Sequence, residues 1–172
     1  MEREVVYTLP FVWSGKVWFI TSLFFAIALY IIGVAVYAMV VGSVVAGVVA
    51  LVIALPVLLG VLIYCEGYSP QRLEVSESRL TILRRYDSVT ILRSTVLEIV
   101  PLEAKELSGT ISVGGCGGLF GSFGGFRNRR FGNFTMYATS KKGLYLIRTS
   151  DHRQIVVGCS DGDILQKMWM NY

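Results

Sequence analysis

Charged side chains are what this sequence has least of. They make up 16% of its 172 residues, where a soluble domain carries about a quarter. The deficit is concentrated: the 49 positions between Lys16 and Glu66 hold no Asp, Glu, Lys, Arg or His. As one helix, at about 1.5 Å per residue, this stretch would reach about 74 Å, against a hydrocarbon core of about 30 Å. It therefore predicts two membrane spans rather than one. Neither span carries an ionisable group to handle a charged solute, which argues against transport through a single hairpin. Histidine is almost missing too, with His152 alone in a polar turn. The three cysteines, Cys65, Cys116 and Cys159, are odd in number and form no CxxC spacing. Neither a zinc site nor a disulfide framework is expected from them.

Catalytic and cofactor motifs are likewise absent. There is no GxxxxGK[ST], no GxGxxG register that fits, no HExxH, and no GxSxG around Ser122. The carboxylate pairs Glu74/Glu77 and Glu103/Glu106 sit in or beside strands and turns, with no cleft implied. No catalytic residue, metal or cofactor is assigned, and the protein is expected not to be an enzyme. From Glu66 onward there are 14 Lys/Arg and 10 Asp/Glu, so the whole net charge of +4 belongs to that part. This mild basic excess suits a domain beside an anionic membrane face and falls short of a nucleic-acid-binding surface.

What is present divides the chain into three: a short N-terminal segment (1–16), a transmembrane helical hairpin (17–65) and a small domain (66–172). The first apolar stretch is too long for a signal-peptide core and lacks a cleavage site. Gly42 and Ser43 supply the only break, and Pro56 and Gly60 are expected kink and close-packing positions in the second span. The hairpin tip has no Lys or Arg, whereas Arg3, Lys16 and Arg72 flank the other ends. By the positive-inside rule, both termini and the domain are expected to be cytoplasmic, in a multi-pass cell-membrane protein. Tyr7, Trp13, Trp18 and Tyr64 stand where an aromatic belt would lie.

After Ser69-Pro70 the hydrophobic period shortens to two. Leu73 and Val75, Leu80 and Ile82, Val89 and Ile91, and Leu97 and Ile99 alternate with polar neighbours, as half-buried strands do. Three more strands are expected at 134–139, 143–149 and 154–157. Ser160 with Asp163 fits a helix-capping pair, and Ile164, Leu165, Met168 and Trp169 recur at helical spacing. The expected fold is a two-helix transmembrane hairpin followed by a mainly-β barrel of about seven antiparallel strands, capped by a C-terminal amphipathic helix.

This pattern resembles the bacterial and archaeal membrane proteins with a PH-like (bPH-type) domain. The resemblance rests on the hairpin, on Tyr68-Ser69-Pro70, on Leu80-Thr-Ile-Leu-Arg-Arg and on Ile99-Val-Pro. Its most specific part is Gly118-Leu-Phe-Gly-Ser-Phe-Gly124 with Phe126-Arg-Asn128, Gly132-Asn-Phe134 and Met136-Tyr-Ala-Thr139. Where the family usually has Ser-Pro-Asp at the last helix start, this chain has Cys159-Ser-Asp. The resemblance implies the PH-like architecture and leaves the biochemical activity undefined.

Seven of the twelve positions 114–125 are glycine, interleaved with Leu119, Phe120 and Phe123, with Phe126 just beyond. This segment reads as a structured loop whose phenylalanines pack into the domain or onto neighbouring copies. In a second reading they dip into the bilayer. Arg127, Arg129 and Arg130 follow, either solvated and salt-bridged or gathered to bind phosphates. Phe120, Phe123, Phe126 and these arginines are the candidate lipid- or partner-binding residues. Lys141-Lys142 reads as a plain exposed turn. Ala46, Ala50 and Ala54 form a small-xxx-small stripe and, with Gly118, Gly121 and Gly124, are the candidate contacts of a homo-oligomer. The expected role is a membrane-anchored, non-catalytic interaction and scaffolding protein with an unidentified protein partner. The alternative is a module sensing peripheral phosphate or anionic lipid through Arg127, Arg129 and Arg130.

Overall fold

The computed structural model describes residues 6–159 together with Leu165 and Trp169. Two helices dominate its first half: α1 (Gly15–Val41) and α2 (Val44–Tyr68). Ser14 and Ser43 cap them, each accepting a hydrogen bond at 3.4 Å from the backbone N–H three residues on. Both are long and apolar enough to cross a membrane. They pack against each other along one seam. On α2 the shielded positions are Gly47, Leu51, Ala54, Leu58, Leu62 and Cys65, a spacing of three and four residues. Gly47 is the tightest point, because a Cβ there would run into Met39 and the Ala35 carbonyl.

Among the described residues ten strands form two sheets. The first has the order β1-β2-β3-β4, from β1 (Tyr7–Pro10), β2 (Pro70–Val75), β3 (Arg79–Arg84) and β4 (Ser88–Leu92). The second runs β5-β9-β10-β8-β7-β6. Its members are β5 (Val96–Leu102), β6 (Ile111–Gly117), β7 (Ser122–Asn128), β8 (Gly132–Ala138), β9 (Leu144–Thr149) and β10 (Gln154–Gly158). The seven strands expected from alternation are all present. The expected total is corrected from about seven to ten for two reasons. Tyr7–Pro10, ahead of the first helix, pairs with β2. The glycine-rich segment expected to be a loop is a β-hairpin, β6 against β7. The arrangement is also not wholly antiparallel, since β10 inserts between β8 and β9 and runs parallel to β8.

The main core lies between the sheets and joins Leu73, Val75, Leu80 and Ile82 to Phe123, Ile147 and Val157. A second cluster covers the other face of the six-stranded sheet with Phe126, Phe134, Met136, Leu144, Leu146 and Val156. Central strands β9 and β10 are therefore buried on both faces, which is why their sequences are continuous apolar runs. The expected C-terminal helix lies outside the described residues. Leu165 and Trp169 are described, and both are buried in the main core. The Trp169 indole donates to the Ser76 carbonyl at 2.9 Å, fastening it to the β2–β3 turn.

Candidate functional site

The helices meet the sheets at the β6–β7 turn, residues 118–121. The Gly118 N–H donates to the Gly121 carbonyl at 2.7 Å and closes the turn. Phe120 sits at its tip with a φ of 57°, a conformation that disfavours a residue with a Cβ. Both of its backbone groups are held: its N–H donates to Thr21 Oγ1 of α1 at 3.3 Å, and its carbonyl accepts from Ser69 Oγ at 2.9 Å. Thr21 is 5% exposed and Ser69 is 6% exposed, so these bonds are shielded from competing water. The turn is thus clasped between the start of one helix and the end of the other. Trp13 stacks edge-on against Phe120 at 5.6 Å and against Trp18 at 5.0 Å.

On the α2 side, Cys65 Sγ donates to Cys116 Sγ at 3.3 Å and Cys116 Sγ to the Leu119 carbonyl at 3.4 Å. Neither Cys65 nor Cys116 is in a disulfide. No spacing rule could reveal this pair, because 51 residues separate its members. Oxidation of the intact protein by dioxygen with a copper–phenanthroline catalyst is expected to join Cys65 to Cys116, with loss of two hydrogen atoms per chain. Intact mass and non-reducing peptide mapping read the bond. Unchanged alkylation of both thiols after oxidation would refute the juxtaposition.

A second cluster was also missed. The Arg84 guanidinium lies 5.4 Å from the Tyr68 ring centroid and 5.5 Å from that of Tyr137. It pairs with Asp87 at 2.6 Å. Burial pushes the Tyr137 phenol above its usual range; the Arg84 charge pulls it down and the Asp87 charge pushes it up. Nearby, Gly67 lies under the Tyr86 ring, where a Cβ would collide. Arg85 pairs with Glu66 at the end of α2. A cationic side chain held between aromatic faces fixes the orientation of the helix end against the sheets.

The other predicted residues are dispersed. Phe123 is 1% exposed and Phe126 6% exposed, in the main and second cores respectively. Neither offers a face to lipid or partner, and only Phe120 is partly open. Arg127 pairs in register with Ile111, at the opposite end of the β6–β7 ladder from the clasped turn. Five residues of strand, at about 3.4 Å each, put it some 17 Å from Ser122. Arg127 and Arg129 line an open cavity of about 520 Å³ with Asn128 and Gly109. Arg130 instead pairs with Glu106. Asn128 is structural: its amide donates to Thr110 Oγ1 at 2.8 Å and to the Ser108 carbonyl at 3.2 Å.

Gly118, Gly121 and Gly124 all meet atoms of their own chain, respectively Ile20, Ala138 with Thr139, and the Gly114–Gly115 backbone. Ala46 and Ala50 are exposed on the outer face of α2, while Ala54 turns toward α1. His152 occupies a tight turn beside Asp151. The Asp151 carboxylate accepts from Thr149 Oγ1 at 2.5 Å and pairs with Arg153 at 2.7 Å. The Thr149 hydrogen bond holds its carboxyl below the usual range, assisted by the Arg153 charge.

A pair of membrane-length helices clasping a mainly-β domain defines the class of protein. Residues 71–169, more than half of the chain, match the bacterial PH domain. The protein belongs to the bacterial PH domain family. Comparison with curated proteins and with solved structures returns no match.

Proposed function

We propose that this protein is a membrane-anchored, non-catalytic PH-domain module that assembles with copies of itself and presents the domain at the cytoplasmic face. The observation that carries the reading is the six-stranded sheet, whose two outer strands leave apolar side chains in solvent. On β6, Ile111 is 60% and Val113 59% exposed; on β5, Leu97 is 71% exposed. A free strand edge templates pairing with another chain. Two different edges of one sheet favour a head-to-tail contact, which closes into a ring when the rotation permits. Exposed Ala46 and Ala50 offer close approach in the membrane part of the same assembly. The Arg3, Lys16 and Arg72 flanks support the cytoplasmic orientation.

Mass measurement in mild detergent tests it. The chain is expected at a multiple of 19.0 kDa, and Leu97→Lys with Val113→Lys is expected to return it to one copy without loss of folded signal. A single copy at every concentration would overturn the reading. A second reading has its own observation: Arg127 and Arg129 line one cavity and form no ion pair among the described residues. Placed away from the helix-clasped turn, they suit a peripheral phosphate group better than a lipid of the same membrane.

A further inference from the structure

The start of α1 is strapped to the β8–β9 turn, residues 139–143, by two hydrogen bonds. The Ser14 N–H donates to the Thr139 carbonyl at 3.0 Å, and Thr139 Oγ1 donates to the Val12 carbonyl at 2.8 Å. Thr139 is 2% exposed, so the strap is a shielded, fixed feature. It brings together lysines that are 125 positions apart in the chain. Lys16 and Lys141 line one narrow cleft of about 60 Å³, with the hydroxyl-bearing Ser14 and Ser122. Lys142 lines the adjoining cavity of about 240 Å³, with Trp13. Thr139 and Ser140 form the wall common to both. None of the three ammonium groups has an ion-pair partner among the described residues, whereas five of the domain's ten arginines, Arg84, Arg85, Arg130, Arg148 and Arg153, pair with a carboxylate.

We propose that this double cleft binds the phosphate of an anionic lipid headgroup, with Lys16, Lys141 and Lys142 as its cationic ligands. The proposal rests on the helices crossing a membrane, and on nothing in the self-assembly reading. Three uncompensated positive charges with hydroxyl groups beside them supply charge-assisted donors for the oxygens of a phosphate group. The position selects a lipid over a free phosphate. Trp18 and Phe19, two and three residues beyond Lys16, are 59% and 68% exposed. The uncharged run begins there, so acyl chains attached to the bound phosphate lie along α1 on apolar surface. Trp18 stacked on Trp13 places an amphipathic ring pair at headgroup level. A dissolved anion would use the lysines and leave that surface uncovered.

The experiment is native mass spectrometry of the full chain released from detergent, with phosphatidylglycerol or phosphatidylcholine added. Phosphatidylglycerol is expected to be retained in preference to phosphatidylcholine. The combined variant Lys16→Gln, Lys141→Gln and Lys142→Gln is expected to weaken that retention by at least about tenfold. Replacing the same three lysines by arginine is expected to keep it. So is replacing Arg127, Arg129 and Arg130 by glutamine. Equal retention of the two lipids, or retention unaffected by the lysine-to-glutamine changes in a protein of unchanged Tm, overturns the proposal. Displacement of the lipid by an equal concentration of inorganic phosphate also overturns it, in favour of a soluble anion site. The same spectra report copy number, and carbonate extraction reports membrane insertion, so failure of either underlying reading is seen separately.

Discussion

Phe123→Ala is expected to cost about 3–5 kcal/mol of folding free energy, the range for truncating a buried aromatic side chain. Among the described residues Phe123 is the largest of the fully buried side chains. It stands in β7 opposite Tyr137 in register, and its ring lies 6.4 Å from Tyr64 of α2. Removing the ring therefore opens a void where the helix end meets the sheets, and β7 is held too firmly by β6 and β8 to collapse into it. Phe123→Leu keeps most of the volume and is expected to cost less than about 1.5 kcal/mol. Thermal unfolding in detergent, followed by near-ultraviolet dichroism, reads both. For a chain of this size the alanine variant is expected to lose about 6–20 °C. A Tm within about 2 °C of the parent would mean that Phe123 is not a core residue. Phe120→Ala provides the contrast, because the clasp at Phe120 uses backbone atoms and survives loss of the ring.

The elements that the sequence reveals are those governed by local periodicity. An uninterrupted apolar run can only be a membrane-length helix pair, and the break at Gly42 and Ser43 is where the structure turns. Leu73, Val75, Leu80 and Ile82 alternate with polar neighbours because one face of their sheet meets solvent. The same logic fails in the glycine-rich segment. Glycine has low strand propensity and no side chain to alternate, so β6 and β7 carry no period-two signal although they pair over their whole length. β1 is hidden for a different reason. Four residues are too few to show a period, and their partner strand lies beyond both helices. The parallel placement of β10 beside β8 is a choice of topology that no local pattern encodes.

The functional residues divide in the same way. Arg127, Arg129 and Arg130 attract notice as a cluster in sequence, yet the β-turn after β7 sends Arg130 to Glu106 and leaves the other two on an open cavity. Lys141 and Lys142 look like an ordinary turn until Thr139 brings Lys16 beside them. The cysteine pair and the Arg84 sandwich are likewise products of tertiary contact. Each depends on where the helix ends meet the sheets, and that junction is set by the clasped turn.

Gly124→Ala is expected to destabilise the protein by about 2–5 kcal/mol, from a left-handed backbone costing about 1–2 and a forced strand separation costing about 1–3. Gly124 has a φ of +95°. A methyl group there would lie 2.6 Å from both the Gly114 carbonyl oxygen and the Gly115 Cα. These contacts are backbone atoms of the paired strand, so no side chain can swing aside. The register places Gly115 directly opposite Gly124, and a Cβ on Gly115 would in turn strike the Phe123 carbonyl. Two glycines facing each other let β6 and β7 approach more closely than any strands with side chains at that pair. Gly114→Ala is the matched control: it lies in the partner strand β6 of the same hairpin, with open space around its Cβ position. It is expected to be neutral or mildly stabilising, since alanine restricts the unfolded chain more than glycine does. Equal Tm values for the two variants would show that the close approach is not needed. The expected split, with Gly124→Ala low and Gly114→Ala near the parent, ties the glycine content of this segment to strand contact within the chain. At Gly124 and Gly115 the space beside the Cα is already filled by backbone of the paired strand. A surface for assembly has to come from side chains that remain in solvent, such as Ile111 and Val113 on the outer strand of the same hairpin.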